Sequence, residues 1–329
     1  PLVDLIAQDP LLRDTKIIAE AWDASGLYQV GSFSLSSRWQ EWNGRFRDDV
    51  RMFMHGRMGT VKELATRIAG SSDLYQKGTL GPVNSVNFIT SHDGFSLYDL
   101  VSYNEKANHA NGEDNRDGEN HNLSWNSGHE GDPCSTQVRT LRFRRIRTFA
   151  ALLLLSQGVP MISAGDEFGR TQEGNNNSWC QDNETAWLDW SLAEKNKDLL
   201  RFFRKCIALR KNHCVFRRTT FFREPGNPGS SREISWQALA PGVQDWSDEC
   251  RTLAFHLHRE PPNKGSDFFI MINGDREKAA VITIPEPPAE AGSWRLVINT
   301  AEQSPLDIVD YREAGDISPL KDLTIPPMG

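Results

Sequence analysis

Two short segments of the sequence end an apolar run on side chains that can transfer protons. Residues 16–22 run through isoleucines to Glu20, and residues 85–93 run through a second apolar stretch to His92 and Asp93. Two carboxylates brought together on either side of a glycosidic bond are the minimal equipment for breaking that bond. The residue types and their places at strand ends therefore predict acid–base chemistry on a carbohydrate.

The surroundings of each group leave an alternative open. An indole beside a carboxyl disfavours its charged form, so Trp22 is expected to raise the pKa of Glu20, which suits a general acid near neutral pH. A Glu in a structural ion pair at a strand end is an equally good interpretation. His92, Asp93 and Gly94 form a triplet that a polar-capped turn would also explain, because Gly94 lets the backbone turn sharply.

The elements that position these groups alternate between strand and helix. Thr60 and Glu63 have the spacing of a capping box for a helix that Gly70 closes. Further helices are predicted over residues 136–157 and 199–212. In a barrel of parallel strands, chemistry collects where the strand C-termini meet the following loops. The first part of the chain therefore fits an α/β barrel.

The pattern changes near residue 216. From there, β-rich runs are separated by loops rich in Pro and Gly. The predicted strands cover residues 252–257, 267–272, 279–284 and 294–298. We expect two domains: the second half of a (β/α)8 TIM barrel over residues 1–215 and an antiparallel β-sandwich over residues 216–329.

Composition excludes several classes of partner. The 329 residues carry a net charge of -7 without a basic tail, which disfavours nucleic acid and anionic membranes. The longest apolar run, residues 149–155, is far shorter than the ~20 residues that span a bilayer. The five cysteines are odd in number and include no CxxC pair, so we expect neither a disulfide framework nor a zinc site. A reduced compartment, no metal and no cofactor are expected.

A polar insertion covers residues 104–135. Such a long loop in a compact domain is usually functional or disordered. An EF-hand alignment would give ligand positions to Asn115 and Asp117, but Ser124 then replaces the bidentate Glu at the last position. We therefore favour a solvated loop that contacts substrate over a calcium site.

Arginines and tryptophans each admit two interpretations. Five arginines crowd the helix predicted over residues 136–157, and we expect a solvated, ion-paired face rather than a phosphate site.

Trp22 and Trp42 follow predicted strands, where flat indoles could stack on sugar rings. For Trp187, Trp190 and Trp294 ordinary core packing is expected.

Longer segments around these residues resemble a known family, the isoamylase-type starch and glycogen debranching enzymes of the α-amylase clan of glycoside hydrolases. The resemblance is dense over residues 1–190 and loose beyond. The segments that carry it are residues 18–23 (IAEAWD), 31–33 (GSF), 41–48 (EWNGRFRD), 87–95 (NFITSHDGF), 111–118 (NGEDNRDG), 165–171 (GDEFGRT) and 174–183 (GNNNSWCQDN).

The resemblance implies roles for particular residues. Glu20 would be the general acid/base, and Asp93 the carboxylate that stabilises the transition state. His92 would hydrogen-bond the same sugar. Trp22 and the region of Trp42 and Arg47 would line the glucan cleft.

One departure from the family is large. The clan's nucleophile is an Asp at the end of the fourth barrel strand, and nothing before Glu20 matches its segment. We therefore expect the chain to carry the barrel from its fifth strand onward, with the nucleophile upstream and with little activity on its own. The implied substrate is a branched α-glucan, amylopectin or glycogen, in a plastid stroma or a bacterial cytoplasm, without secretion and with a possible homo- or hetero-oligomer.

Two other functions remain open. One is a non-catalytic glucan-binding subunit of a debranching complex. The other is a branching or α-1,4-transferring relative with the same catalytic residues.

Overall fold

A four-stranded parallel sheet organises the first half of the chain. The structure is a computed structural model and describes residues 2–23, 25–223, 233–259, 265–288, 292–318 and 320–329. The strands follow the order β1-β2-β3-β4 and are all parallel. They are β1 (Ile17–Ala19), β2 (Trp39–Trp42), β3 (Ser85–Asn87) and β4 (Val159–Pro160).

Helices alternate with these strands, as the sequence pattern predicts. They are α1 (Leu2–Gln8), α2 (Gly44–Met54), α3 (Val61–Ile68), α4 (Ser72–Tyr75), α5 (Leu97–Leu100), α6 (Thr136–Leu155), α7 (Ser191–Lys195) and α8 (Lys197–Asn212). The chain is therefore an α/β protein. No helix among the described residues has both the length and the apolar character needed to cross a membrane.

Helix α3 shows how local sequence sets an element. Val61, Leu64 and Ile68 lie at helical spacing and are buried, and Gly70 follows with φ of 102°. The predicted capping box does not form. Thr60 has helical rather than extended backbone angles, and its hydroxyl donates to the Arg57 carbonyl at 3.0 Å instead of accepting from the first turn.

The main core lies between the helices and an antiparallel sheet formed by the later part of the chain. Ile146 and Phe149 of α6 are buried with Phe203 and Cys206 of α8 in one cluster, which also contains Phe255. Cys206 is fully buried, as expected of a small core residue. Burial of this apolar surface is the main favourable term that holds the helices against the sheets.

Antiparallel strands form the later part of the chain. One sheet has the order β5-β6-β7, and β8 pairs with β9. The strands are β5 (Ile234–Gln237), β6 (Thr252–Leu257), β7 (Phe268–Asn273), β8 (Ala280–Thr283) and β9 (Asp322–Ile325). The strand expected over residues 294–298 is not continuous: only isolated bridges occur there, from Arg295 to Asp316 and from Ile298 to Ile308.

The arginines of α6 do not form the solvated face that the sequence suggests. Arg142, Arg145 and Arg147 are buried. Arg142 donates to the Gly131 carbonyl at 3.0 Å and Arg145 donates to the Trp125 carbonyl at 2.6 Å. A guanidinium has five N–H donors, so it can supply hydrogen bonds to loop carbonyls that have no partner in a neighbouring strand. These two arginines thus order the C-terminal end of the polar insertion.

Two tryptophans are also placed differently from the expectation. Trp187 and Trp190 are 57% and 69% exposed, whereas Trp294 is buried as expected. Trp187 donates its indole N–H to Asp182 at 3.1 Å. The ring of Trp190 packs against that of Phe168, with ring centroids 5.6 Å apart. Neither indole is therefore a core residue in this structure.

Candidate active site

Glu20, His92 and Asp93 meet at one edge of the parallel sheet. Glu20 directly follows β1, and the other two lie in the loop after β3. One nitrogen or carboxylate oxygen from each of the three lies within 4.8 Å of the others. His92 Nε2 is 3.3 Å from Asp93 Oδ2. In the strand register, Ala19 lies opposite Glu41 and Trp42 lies opposite Val86. This pairing brings the C-terminal ends of the strands to the same edge of the sheet.

All three groups are exposed in this structure. The side chains of His92 and Asp93 are 61% and 73% exposed, and Glu20 is also exposed. The burial of Glu20 against indole surface that the sequence suggests is therefore not seen. Its strand β1 is the edge strand of the sheet among the described residues, so one side of Glu20 has no neighbouring strand.

Aromatic rings line the floor of the site beside these groups. The ring centroids of Trp42 and His92 are 5.7 Å apart, and Trp22 lies 6.4 Å from Trp42. Phe88 is fully buried beneath both indoles. Trp22 and Trp42 are only partly buried, so apolar ring surface remains available to the C–H face of a sugar.

Arg47 adds a cation to this floor. It lies on α2, its guanidinium carbon is 5.7 Å from the Phe88 ring centroid, and its Nε donates to Asp48 Oδ1 at 2.7 Å. Burial works to lower the pKa of Arg47, but the hydrogen bond and charge of Asp48 hold that pKa above its usual value. A charged, partly buried guanidinium can donate to sugar hydroxyls at the edge of the aromatic floor.

The loop that carries His92 and Asp93 is anchored from below by a buried arginine. Arg51 of α2 is buried and donates from Nε and Nη2 to the Ile89 carbonyl at 2.9 and 2.6 Å. Its Nη1 donates to the Asn122 carbonyl of the polar insertion at 3.1 Å. Burial lowers the pKa of Arg51 to about 9, which still leaves it charged at neutral pH.

The same loop is anchored at its other end by a buried carboxyl. Asp166 Oδ1 accepts from the Leu97 amide at 2.8 Å, and its Oδ2 accepts from the Thr90 hydroxyl. Burial raises the pKa of Asp166 to about 6. Between these anchors, Gly94 has φ of 92° and its amide donates to the Asn176 carbonyl at 2.9 Å. The turn predicted at Gly94 therefore forms.

A second buried carboxyl shapes the loop after Glu20. Glu41 of β2 is buried, and its Oε2 accepts from the Gly31 amide at 2.6 Å. The backbone amides of Phe33 and Ser34 also hydrogen-bond to it. Gly31 has φ of 80° and lies against Leu74, so a side chain there would be strained and crowded. Burial is the main reason that the pKa of Glu41 is raised.

Side-chain amides make many of the hydrogen bonds that order the polar insertion. Asn108 and Asn176 hydrogen-bond to each other, and Asn176 also donates to the Asn122 side chain at 2.9 Å. Asp117 Oδ2 accepts from Asn111 at 2.7 Å, and this hydrogen bond helps to lower the pKa of Asp117. Within the described part of the chain, clusters of three or more metal-ligating side chains do not include this insertion.

Sequence reasoning did not assign roles to Arg51, Glu41 or Asp166. The sequence did indicate that Asp166 could be functional, because Asp166 follows a short apolar segment, as Glu20 does. Glu41 stands in a strand of alternating burial, where a charged residue on the buried side marks a specific partner. Arg51 carried no comparable signal, since a helical arginine is usually solvated.

Known proteins share both the sequence and the fold. Residues 235–321 match the family model described as isoamylase 1-3, C-terminal. A protein named glycogen operon protein GlgX homolog from Mycobacterium tuberculosis is 53% identical over 249 residues, which are 75% of this chain and 34% of that protein. Isoamylase 1, chloroplastic, from Oryza sativa subsp. japonica is 43% identical over 309 residues, 94% of this chain and 37% of that protein.

The fold is similar to that of solved pullulanases. The pullulanase from Bacillus acidopullulyticus superimposes with a TM-score of 0.68 at 19% identity, and the match covers 99% of this chain and 35% of that one. At this identity the likeness concerns the fold alone. The chain spans between 34% and 38% of the length of the curated relatives named above and of isoamylase SU1 from Zea mays. The chain is thus similar to isoamylases over 94% of its length, and its later part matches the isoamylase 1-3, C-terminal, model.

Proposed function

We propose that the protein containing this chain hydrolyses α-1,6 branch linkages of starch or glycogen with retention of configuration. The observation that carries the proposal is the meeting of Glu20, His92 and Asp93 within 4.8 Å at the strand C-termini. The relatives named isoamylase and glycogen operon protein support the substrate class. The sequence segments that contain these three residues are those in which the chain resembles the debranching family.

Glu20 acts as the general acid and then as the general base. Its carboxyl protonates the glycosidic oxygen as the branch leaves, and its carboxylate then takes a proton from the water that opens the glycosyl-enzyme. Its exposure at the edge of the sheet leaves room for the glucan to approach.

Asp93 and His92 act on the sugar whose bond is broken. Asp93 carries a negative charge beside the ring, where positive charge develops in an oxocarbenium-like transition state. His92 donates to a hydroxyl of the same sugar. The 3.3 Å separation between His92 Nε2 and Asp93 Oδ2 keeps the two groups on one side of the ring.

The covalent step needs a third carboxylate. A retaining enzyme places its nucleophile about 5–5.5 Å from the acid/base. Under this proposal the nucleophile is an Asp supplied by sequence beyond residues 1–329. The chain would then be the second half of a (β/α)8 barrel, residues 1–215, with a β-sandwich over residues 216–329. The four parallel strands β1 to β4 support the first assignment, and the antiparallel pairs β5 to β9 support the second.

The glucan chain lies on the aromatic floor. Trp22 and Trp42 stack on sugar rings, and Arg47 donates to hydroxyls at the edge of the floor. Branched α-glucans are abundant in plastids and in bacterial cytoplasm, and the relatives come from chloroplasts and from bacteria. We propose one of these two compartments for this protein.

A non-catalytic glucan-binding subunit is the second candidate. The exposure of all three polar groups favours it. A branching or transferring enzyme would use the same carboxylates and differ in the acceptor.

The three functions give different products from amylopectin. Incubation of the full-length protein with amylopectin, followed by reducing-end and chain-length analysis, distinguishes them. Release of linear chains with new reducing ends supports debranching. Unchanged amylopectin supports the subunit, and longer branches without new reducing ends support the transferase.

Variants test the role of Glu20. Glu20→Gln should lower turnover by about 10²–10⁴-fold, the usual contribution of a general acid–base group. Glu313→Gln, the same change at an exposed position of the later part of the chain, is the matched control and should keep activity. Near-normal turnover by a folded Glu20→Gln variant would exclude Glu20 as the acid/base.

A further inference from the structure

An exposed tyrosine extends the aromatic floor of the candidate active site. The ring of Tyr28 is nearly parallel to that of Trp22, with ring centroids 6.0 Å apart and 18° between the planes. Aromatic rings at this separation are offset, so each leaves part of its face uncovered. Tyr28 is also 43% exposed. The pair therefore offers a wider apolar surface than Trp22 alone.

The backbone after Glu20 places the two rings side by side. The chain folds back on itself, so that Trp22 and Tyr28 form an antiparallel bridge, and the Gln29 amide donates to the Ala21 carbonyl at 2.7 Å. Residues directly opposite each other in an antiparallel pair project from the same face. Tyr28 is therefore presented on the side that carries Trp22.

Tyr28 stands at the far end of a row of rings that begins beside the proposed catalytic groups. The ring centroid of His92 is 5.7 Å from that of Trp42, which is 6.4 Å from that of Trp22. Within the part of the chain that the structure describes, Trp22 is the one aromatic residue whose ring contacts Tyr28. A sugar on Tyr28 would thus be remote from the bond on which His92 and Asp93 act.

A glycine leaves room for this arrangement. Gly44 is the first residue of α2. A Cβ atom at Gly44 would lie 2.8 Å from the hydroxyl oxygen of Tyr28, so close that the tyrosine would have to shift, and 3.6 Å from Cζ3 of Trp22, which is ordinary contact. The position of the Tyr28 ring therefore depends on the absence of a side chain at residue 44.

The hydroxyl of Tyr28 adds a polar group to this surface. Burial and the charge of Asp48 raise the pKa of Tyr28, so the hydroxyl keeps its proton at neutral pH. A phenol can both donate and accept a hydrogen bond, as sugar hydroxyls also can. Tyr28 thus combines an apolar face with a polar edge, the two surfaces that a pyranose ring presents.

We propose that Tyr28 forms a further glucan subsite, which holds a glucose unit remote from the bond that is cleaved and favours longer chains. The inference rests on the proposed function for the identity of the ligand, an α-glucan. A contact far from the reacting atoms is the same in the ground state and in the transition state. Such uniform binding lowers KM without raising kcat.

The first test compares substrates and ligands of two lengths, with the full-length protein. Tyr28→Ala should raise KM for a long-branched maltooligosaccharide by about 2–10-fold, the effect of one lost ring contact, with a smaller change for a short-branched one and little change in kcat. Isothermal titration of the Glu20→Gln protein with maltoheptaose should show the same loss. Tyr28→Phe keeps the ring and should keep most of the binding. Tyr311→Ala removes an exposed tyrosine of the later part of the chain and is the matched control.

A second test uses the close approach of Gly44. Gly44→Ala should also weaken the binding of maltoheptaose, because the new methyl group displaces the Tyr28 hydroxyl. Combined with Tyr28→Phe, which lacks this hydroxyl, Gly44→Ala should have little further effect. General damage to α2 would persist in the double variant, so the rescue reports on the position of the ring.

Four results would overturn the proposal. They are no binding of maltoheptaose by the protein, unchanged binding in Tyr28→Ala, an equal loss for long and short substrates with a fall in kcat, and a Gly44→Ala defect that Tyr28→Phe does not relieve. Circular dichroism checks the fold of each variant. If Tyr28→Ala does not fold, Gly44→Ala with and without Tyr28→Phe decides the outcome. A protein that binds maltoheptaose through Tyr28 but leaves amylopectin unchanged would retain this inference and lose the hydrolytic function.

Discussion

Asp166 provides the sharpest test of how the site is held. Its carboxyl is buried under the loop that carries His92 and Asp93, and it accepts from Thr90 and from the Leu97 amide. Asp166→Asn keeps an oxygen for the Leu97 amide and offers an N–H to the Thr90 hydroxyl. The substitution therefore removes the ionisation while it retains the shape and the hydrogen bonds.

The magnitude follows from the pKa of Asp166. Burial raises it from 3.8 to about 6, and two pKa units correspond to about 3 kcal/mol. Because the folded pKa is the higher one, the folded state binds more protons between these values. The contribution of Asp166 to stability is therefore fully present below about pH 4 and is lost as the pH rises through about 6. The Asn variant does not have this loss.

The assay compares urea unfolding of the two proteins at about pH 4 and about pH 7.5. The free energy of unfolding of Asp166→Asn, relative to the unsubstituted protein, should rise by about 3 kcal/mol between these conditions. Asp14→Asn makes the same chemical change at an exposed position and is the control. The reasoning is refuted if the difference between Asp166→Asn and the unsubstituted protein is the same at both pH values.

Substitutions at three further residues test the supports and the floor of the site. Arg51→Met should lower the free energy of unfolding by about 2–4 kcal/mol in urea titrations, because it leaves the buried Ile89 carbonyl without its charged donor. Glu41→Ala should cost about 1–3 kcal/mol in the same assay, whereas Glu41→Gln, which can still accept from the Gly31 amide, should cost less. Trp42→Ala should raise KM for a branched maltooligosaccharide about 2–10-fold with a smaller change in kcat, given about 0.5–1.5 kcal/mol for a lost ring contact. A larger effect on kcat than on KM would place Trp42 at the reacting bond.

The meeting of the two strand-end carboxylates could be predicted because it depends on local sequence. The apolar runs before Glu20 and Asp93 determine two parallel strands, and parallel strands bring their C-terminal ends to one edge. This geometry suffices to predict that the two carboxylates meet. The burial of Cys206 and the helical spacing of apolar residues in α3 also depend on local sequence, and the structure agrees with both predictions.

Features that depend on distant partners were not predictable. The guanidinium groups of Arg142 and Arg145 satisfy carbonyls of the polar insertion, and no helical pattern shows which carbonyls lack a partner. The exposure of Trp187 and Trp190 is a property of the fold and not of the residue type. The exposure of Glu20 depends in the same way on the fold, because Glu20 follows β1 and β1 is the edge strand of the parallel sheet among the described residues.

The position of each buried charge suggests why the candidate site combines exposed reactive groups with buried supports. His92 and Asp93 are exposed, so water competes for any hydrogen bond that could fix them. Arg51 and Asp166 are buried, and their hydrogen bonds to the same loop are stronger in a medium of low dielectric constant. Under the proposed function, a glucan would need open access to the carboxylates, whereas catalysis would need them held to within a fraction of an ångström. The two charged groups that orient the loop lie beneath it, and this placement meets both requirements. Arg51 holds the Ile89 carbonyl on one side, and Asp166 holds Thr90 and Leu97 on the other.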